Sequence, residues 1–402
     1  MKILYISVLS SDKVINRIYE ETGVNPGFAV QKFSRLLVKG LVENNADVVA
    51  FSNPPITRAI STKLFISMGG ETENGVSYKY IPFINLPILK HICILLYSFF
   101  YVFFWGLKDR KNKAVICDIL SVSACMGALF ATKINGLQSV SVVTDIYGQM
   151  TGVKKSGITA LISSLASCIS NWYSTSFDKY ILLTEQMNDI VNPKRRPYMV
   201  MEALCDNTFA INNIQKVEKD NPRVVMYAGG LYEKYGLKML VDGFIASKVD
   251  AKLVLYGNGS YVDELKEVCK NHSNVEYRGI AANEEIVEQE LKATLLVNPR
   301  FTTEEFAKYS FPSKNMEYMV SGTPLLTTKL PGMPKEYYPY VYMFEEESVE
   351  GYAAVIRTVL SRSSDELSTM GRKAAEFVLK NKNNISQGAR IVKFLCDDAF
   401  YR

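Results

Sequence analysis

Short apolar segments alternate with longer helical patterns along most of this 402-residue chain, and this alternation constrains its fold more than any other feature. Strands separated by helices indicate βαβ units, which place their strands in parallel sheets. The pattern therefore predicts an α/β protein. The strand segments are, in order, KILYISV, ADVVAF, AVICDIL, SVSVVTD and KYILLT, followed by RVVMYAG, AKLVLYG, NVEYRG, ATLLVNP and TPLLTT.

The alternation restarts once, and the restart predicts two domains. Between the two sets of strands lies AINNIQKVEKDNP, which is polar and has no hydrophobic period. A chain of this length is also too long for one ordinary core. We expect a doubly wound domain over residues 1–205 and a second one facing it over residues 206–382. The helical pattern at 383–402 is expected to cross back to the first domain.

Composition and charge exclude several classes of protein. The net charge of +5 is too small to indicate nucleic-acid binding, but it suits an anionic substrate or an acidic membrane surface. The seven cysteines are scattered without a CxxC pair, and His91 and His272 are far apart, so we expect reduced thiols and no metal site. The apolar run in MKILYISVLS is short and strand-like, which favours a cytoplasmic protein over a secreted one.

Glycines at two strand ends in the second half predict an anion site. Gly229 and Gly230 follow the strand RVVMYA, and Gly257 and Gly259 follow KLVLY. Glycine lets a ligand approach the backbone closely, and a helix after the turn would present free N–H groups. Lys234 lies in the first turn, within reach of a bound phosphate. Glycines at such turns are also often purely conformational, so each pair alone is weak support.

The stretch YSFPSKNMEYMVSGTP contains the most specific pattern of the chain. Pro312 suits the first position of a short helix, where Ser313 and Lys314 would meet an anion. Glu317 lies one turn further along the same face, where its carboxylate could accept hydrogen bonds from a ribose diol. Arg300, at the end of the strand before this helix, suits bidentate phosphate recognition. The alternatives are an ordinary surface glutamate and a surface salt bridge.

These motifs, above all FPSK-x-x-EYM-x-SGTP, resemble the nucleotide-sugar-dependent glycosyltransferases of the GT-B fold, close to family 4. The resemblance implies two Rossmann-like domains that face a cleft. It also implies a nucleoside-diphosphate (NDP) sugar in the C-terminal domain as co-substrate, an acceptor at the N-terminal domain, and neither a metal nor another cofactor. Many relatives carry a second glutamate eight residues before the one matched by Glu317. Tyr309 stands there in this chain, so we expect Glu304 or Glu305 to contact the donor sugar instead.

Two aspartates of the first half end apolar strands, Asp118 in AVICDIL and Asp145 in SVSVVTDIYG. The carboxyl edge of a parallel sheet is where such folds bind ligands. An inverting transferase needs a general base there, whereas in a retaining enzyme the same acid would orient the acceptor. We prefer Asp145 because a glycine follows it and frees the loop. Either residue could instead cap a helix or form a turn.

The segment NPGFAVQKFSRLLVKGL reads as a loop that leads into an amphipathic helix. In the resembling family this loop faces the donor phosphates or the acceptor. Asn25 and Gly27 are therefore candidate binding residues. Gln31 and Lys32 are expected on the solvent face of the helix.

The segment from Leu86 to Lys113 breaks the pattern, because it is apolar, dense in aromatic residues and followed by basic ones. Its apolar run is shorter than the ~20 residues of a spanning helix. A helix buried against the first sheet is one interpretation. The other is a helix that rests on the anionic inner membrane through an aromatic edge, with Phe100, Phe103 and Trp105, and through the basic residues Lys108, Arg110 and Lys111.

The whole sequence thus predicts a metal-independent glycosyltransferase at the cytoplasmic face of the inner membrane. It would transfer a sugar, a hexosyl or related group, to a lipid-linked or oligosaccharide acceptor. The resemblance implies a bacterial capsule, O-antigen or exopolysaccharide pathway. The alternatives are an NDP-sugar 2-epimerase of the same fold and a non-catalytic nucleotide-sugar-binding subunit.

Overall fold

A computed structural model describes residues 1–23, 28–146, 168–207 and 218–397 of the chain. The chain divides into two compact units. Unit 1 comprises Met1–Leu204 and Asn384–Arg402, and unit 2 comprises Cys205–Asn383.

Unit 1 is built on an eight-stranded sheet with the strand order β10-β9-β8-β7-β1-β2-β5-β4. All neighbours are parallel except the antiparallel edge pair β4–β5, and β3 pairs with β6 outside this sheet. The strands are β1 (Lys2–Ser7), β2 (Asp47–Ser52), β3 (Phe65–Ile66), β4 (Glu71–Glu73), β5 (Val76–Tyr80), β6 (Phe83–Ile84), β7 (Lys113–Asp118), β8 (Gln138–Val143), β9 (Lys179–Leu182) and β10 (Tyr198–Val200).

The helices of unit 1 cover this sheet, so its central strands are buried along nearly their whole length. Parallel sheets require helices on both faces, and their strands are therefore continuously apolar. In β7 every residue is buried, including Lys113 and Asp118 at its two ends. The helices are α1 (Asp12–Thr22), α2 (Phe28–Glu43), α3 (Pro87–Trp105), α4 (Val122–Asn135) and the short α5 (Asn188–Val191), and residues 168–174 are also helical.

Unit 2 is built on a six-stranded parallel sheet with the strand order β13-β12-β11-β14-β15-β16. The strands are β11 (Arg223–Gly230), β12 (Ala251–Asn258), β13 (Val275–Tyr277), β14 (Leu295–Asn298), β15 (Leu325–Thr328) and β16 (Tyr342–Phe344). The helices are α6 (Leu237–Ser247), α7 (Val262–Asn271), α8 (Asn283–Lys292), α9 (Ser313–Ser321), α10 (Val349–Leu360) and α11 (Ser364–Asn381). Short 3-10 turns lie at Glu233–Tyr235, Glu305–Lys308 and Lys335–Tyr340.

The last helix, α12 (Asn384–Cys396), belongs to unit 1, where it packs on α2. A β-carbon on Gly40 of α2 would overlap with the Asn384 carbonyl, and one on Gly388 would overlap with the Gly40 carbonyl. The two helices therefore meet backbone to backbone. The predicted α/β class, with two doubly wound units and a C-terminal helix that returns to the first, is confirmed.

Each sheet contains a point where the strand order reverses, and ligands of open α/β sheets bind beside such points. In unit 1 the chain runs from β1 outward to β2 and later to β7 on the other side of β1. In unit 2 it runs from β11 to β12 and later to β14 on the other side of β11. The ends of β1 and β7, and those of β11 and β14, therefore define where a site is expected.

Candidate functional site

The reversal point of unit 2 lies at the carboxyl end of β11, where two glycines leave the backbone bare. Gly229 pairs with Gly257 of β12 in the parallel ladder. A β-carbon on Gly257 would overlap with the Gly229 carbonyl. Gly259 likewise leaves room for the Leu231 carbonyl. Close packing of the end of β12 on the end of β11 therefore accounts for Gly257 and Gly259 without a ligand.

Gly229 makes room for a side chain instead of backbone. A β-carbon there would overlap with Cε of Lys314, which comes from the first turn of α9. Lys314 therefore lies directly over the end of β11, with its Nζ 6.0 Å from the ring centre of Tyr227 and 5.9 Å from that of Tyr318. The structure brings together two residues that the sequence predicted for one site.

Arg300 supplies a second cation near the same strand end. Its guanidinium carbon lies 4.7 Å from the ring centre of Tyr235 and 5.8 Å from that of Phe306. Burial lowers the pKa of Arg300. Burial also raises the pKa of Tyr227, and the charge of Arg300 partly opposes that rise. Arg300 and Lys314 therefore both act on Tyr227 electrostatically.

These two cations are only weakly compensated by acidic groups. Burial lowers the pKa of Lys314, Arg300 lowers it further, and Glu317 and Glu290 partly oppose this shift. Among the described residues, neither Lys314 nor Arg300 has a carboxylate within 4 Å or a side-chain hydrogen bond. A half-buried cation without an acidic partner is costly. A bound anion would remove that cost, so this arrangement suits a phosphate.

Helix α9 is attached to β11 and β14 by contacts that the sequence did not reveal. The Tyr318 hydroxyl accepts a hydrogen bond from the Ala228 N–H (2.9 Å) and donates one to the Ala228 carbonyl (3.3 Å). Asn315 accepts a bond from the Asn298 side chain at 2.6 Å. These contacts fix the start of α9 beside the strand ends. In the sequence, Tyr318 and Asn315 look like ordinary helix residues, so no signal would have found them.

The helix begins one residue later than predicted. Pro312 is the N-cap residue, with extended ψ, and Ser313 is the first helical residue. Ser313 and Glu317 are exposed on α9. The site therefore has the predicted order, with Lys314 half-buried at the helix start and Glu317 one turn along.

The three remaining site residues predicted in unit 2 are Gly230, Lys234 and Glu305. Gly230 packs under the ring of Tyr232. Lys234 is exposed in the 3-10 turn, 5.5 Å from the ring centre of Tyr235, and α6 begins only at Leu237. The helix predicted after the Gly-Gly turn is therefore α6, and the 3-10 turn separates it from the two glycines. Glu305 is exposed at the start of another 3-10 turn.

In unit 1, Asp118 ends β7 at the reversal point and is only 4% exposed. Its carboxylate accepts a hydrogen bond from the Leu120 N–H (3.1 Å), and burial raises its pKa to about 6. Asp145 lies just beyond β8, half-buried, and accepts from the Ile146 N–H (2.8 Å). Both acids therefore form local turns at the carboxyl edge of the sheet.

In helix α2 the prediction for Gln31 is wrong. Gln31 is buried instead of facing solvent. Its side chain accepts from the Ser10 N–H (2.9 Å) and donates to the Val8 carbonyl (2.8 Å), so it holds the loop after β1. Asn25 and Gly27 lie outside the described residues. Among the residues that are described, no group of three His, Cys, Asp or Glu is placed to hold a metal ion.

Comparison with known proteins gives a family match within unit 2 and structural matches over nearly the whole chain. Residues 210–377 match the family described as Glycosyl transferases group 1. HepE of Anabaena in complex with UDP superposes with a TM-score of 0.63 at 14% identity, over 98% of this chain and 99% of that one. The chain has the GT-B fold.

Two further structures have the same GT-B architecture as this chain. A glycosyltransferase from Rickettsia africae gives a TM-score of 0.62 at 13% identity, covering 99% of both chains. The lipopolysaccharide outer core galactosyltransferase WaaB gives 0.60 at 16% identity, over 98% of this chain and 99% of that one. No curated protein sequence matches this GT-B chain. The group 1 match lies within unit 2, where the two cations are found.

Proposed function

We propose that this chain is a glycosyltransferase that transfers a sugar from an NDP-sugar to a lipid-linked or oligosaccharide acceptor. The observation that carries the proposal is the pair of half-buried cations, Lys314 and Arg300, at the bare end of β11. A diphosphate bound there would pair with both. The group 1 match of residues 210–377 supports the same function.

The proposed donor site assigns a role to each part of α9. The diphosphate lies at the helix start, where free N–H groups and the ammonium of Lys314 attract it. Arg300 contacts a second phosphate oxygen. Glu317, one turn along, accepts hydrogen bonds from the ribose. Because these side chains supply the positive charge, we expect donor binding to persist in EDTA.

The proposed acceptor contacts lie at the carboxyl edge of the unit 1 sheet. Asp118 is nearly neutralised at mildly acidic pH because burial raises its pKa to about 6, a range that suits proton transfer. Asp145 is more accessible and orients a hydroxyl. A bacterial surface-polysaccharide pathway, such as capsule, O-antigen or exopolysaccharide assembly, is proposed from the sequence resemblance. WaaB, a lipopolysaccharide outer core galactosyltransferase, shares the fold of this chain.

A thermal-shift screen against UDP-, GDP- and dTDP-sugars tests donor binding. UDP is the first probe, because HepE of Anabaena was crystallised with it. A ligand at 100 times its Kd stabilises the folded state by about 2.7 kcal/mol. If no nucleotide raises the melting temperature, the proposed site is wrong.

The same donor then separates the possible reactions. A transferase releases NDP only when a lipid-linked or saccharide acceptor is added. A 2-epimerase changes the donor sugar without an acceptor, and a non-catalytic subunit binds the donor unchanged. Turnover without acceptor, or none with any acceptor tried, would therefore contradict transfer.

A further inference from the structure

Helix α3 carries a continuous apolar ridge that faces solvent. The ridge consists of side chains four residues apart, which lie on one helical face. They are Ile88, Ile92, Leu96, Phe100 and Phe104. Ile88 is 76% exposed, Phe100 53% and Phe104 65%. An exposed apolar surface of this length usually marks an interaction site.

The opposite side of α3 is already packed in unit 1. Ile94, Ser98 and Val102 are fully buried, and Tyr101 stacks on Phe51 of β2 with the ring centres 4.4 Å apart. The ridge therefore lies on the side of α3 that faces away from the sheet. Phe103 and Trp105, expected on the exposed edge, are half-buried, so this expectation was wrong for both.

Helix α4 fixes α3 along its length. His91 and Ser123 share a hydrogen bond of 2.8 Å, and Asn135 donates to the Phe103 carbonyl at 2.8 Å. A β-carbon on Gly127 would overlap with the Leu95 carbonyl, so the two helices touch through their backbones. By length and composition alone, α3 could cross a membrane. These contacts instead hold it as an integral part of unit 1.

The apolar surface continues beyond the ridge onto α4 and the helical residues 168–174. Ile134 lies seven residues after Gly127 and therefore on the face of α4 that adjoins α3. Phe130, one turn earlier, stacks on Trp172 with the ring centres 5.3 Å apart. Ile134 is 63% exposed, and Phe130 and Trp172 are exposed as well.

The charges around the ridge favour an anionic partner. No Asp or Glu occurs between Asn85 and Lys108. Exposed Lys108 and Arg110 follow the end of α3, with Asp109 between them. Apolar and aromatic side chains beside basic ones are the combination with which a helix lies in the interface of an anionic bilayer.

We propose that the ridge of α3 is a docking surface for an anionic lipid bilayer, with the helix lying in the plane of the membrane. Phe100, Phe104 and Leu96 enter the acyl boundary, and Lys108 and Arg110 contact lipid phosphates. The flank formed by Phe130, Ile134 and Trp172 extends the contact. This inference concerns membrane binding, which is separate from the proposed sugar transfer and does not depend on it.

Flotation of the full chain with vesicles tests the docking surface. We expect binding to vesicles of phosphatidylethanolamine and phosphatidylglycerol, and much weaker binding to phosphatidylcholine alone. The triple variant Leu96→Ser/Phe100→Ser/Phe104→Ser should lose at least about tenfold in partitioning. Lys108→Gln/Arg110→Gln should weaken binding chiefly at low salt.

Two controls keep these results interpretable. Ile280→Ser removes an apolar side chain that is 76% exposed in unit 2, and should bind vesicles like the wild type. Because the ridge is exposed, the triple variant should melt at the wild-type temperature and keep its UDP-induced shift if the wild type has one. Loss of flotation together with an unchanged melting temperature then assigns the effect to the surface.

Several outcomes would overturn the proposal. Failure of the wild-type chain to float with anionic vesicles would do so, as would unchanged flotation of the folded triple variant. A wild-type dimer that becomes monomeric in the triple variant, with no vesicle binding, would identify the ridge as a contact between two copies of the chain. Trp172 offers an independent readout, since in a Trp105→Phe background its emission should shift to the blue on vesicle binding.

Discussion

Lys314 is a cation that the fold half-buries among tyrosine rings at the bare end of a strand. Its local environment disfavours its charge, because burial and the neighbouring Arg300 both lower its pKa. A residue in this position contributes little to stability while the site is empty. It contributes to binding once an anion arrives. Function and stability should therefore respond to its replacement in opposite directions.

The variant Lys314→Met tests this at the residue scale. Methionine keeps most of the volume and removes the charge, so nucleotide affinity should fall about 10- to 100-fold, the range for a lost charge-assisted hydrogen bond. The melting temperature of the empty protein should stay the same or rise. Titration calorimetry and thermal melting measure the two effects.

The matched control for this variant is Lys270→Met, which removes an exposed ammonium from α7. It should leave nucleotide affinity unchanged. If Lys314→Met binds the nucleotide as tightly as the control does, Lys314 is not a phosphate contact.

Asp118 allows a prediction about pH. Burial raises its pKa from 3.8 to about 6, so the folded state binds the proton more tightly than the unfolded state. Stability from this group is therefore present below pH 4 and is lost as the pH rises through 6. Between pH 4.5 and pH 7.5 the wild type should lose about 2 kcal/mol of unfolding free energy relative to Asp118→Asn. Urea denaturation of both proteins at pH 4.5 and 7.5 measures the difference. An identical pH slope for both would refute it.

At the scale of elements, the ends of β11 and β12 combine two uses of glycine. Gly229 leaves room for Lys314, whereas Gly257 leaves room for the backbone of β11. A flexible side chain can move aside, but a strand carbonyl in a ladder cannot. The two positions therefore predict different consequences for the same substitution.

The variant Gly229→Ala should displace Lys314 and weaken nucleotide binding about tenfold or more, with a modest loss of stability. In Gly257→Ala the new methyl group meets the Gly229 carbonyl, so stability should fall by about 3 kcal/mol or more. Melting temperature and nucleotide affinity, measured for both, separate the effects. Equal losses of stability in the two variants would contradict the assigned roles.

At the scale of the whole molecule, α12 ties the end of the chain to unit 1. Buried Lys179 of β9 donates to the carbonyls of Phe394 (2.7 Å) and Asp397 (3.2 Å) at the end of this helix. Cations favour the C-terminal end of a helix, where carbonyls lack partners. The last helix is therefore part of the unit 1 fold, although unit 2 precedes it in the chain.

The variant Gly388→Val should destabilise unit 1 by about 2–4 kcal/mol, since its side chain would separate α12 from α2. Ala389→Val places the same residue on the exposed side of the helix and should cost less than about 1 kcal/mol. Nucleotide binding by unit 2 should persist in both variants. Thermal melting with and without UDP measures these effects, and similar melting of the two variants would show that the close contact is unimportant.

The sequence alone predicted the α/β class, the ten main strands and the return of the last helix. Those strands are continuous apolar runs of the kind that buried parallel strands require, and a local run is visible in a single sequence. It missed six strands. Five of them, β3, β4, β6, β10 and β16, have only two or three residues and carry no period. The sixth, β5, has five residues with alternating burial, and this pattern was overlooked. It also predicted that Gly229 and Lys314 share a site, since glycine at a strand end and lysine at a helix start both indicate an anion.

Contacts between remote parts of the chain were decided only by the tertiary structure. Gln31 faces the loop after β1 instead of solvent, and Tyr318 bonds Ala228, 90 residues away. The apolar segment at α3 was open to two interpretations, and only the packing of its neighbours shows that the ridge faces outward. Periodicity and residue type specify local structure, whereas burial depends on which segments meet. That is why the sequence determined the elements and part of the site, and the fold decided their partners.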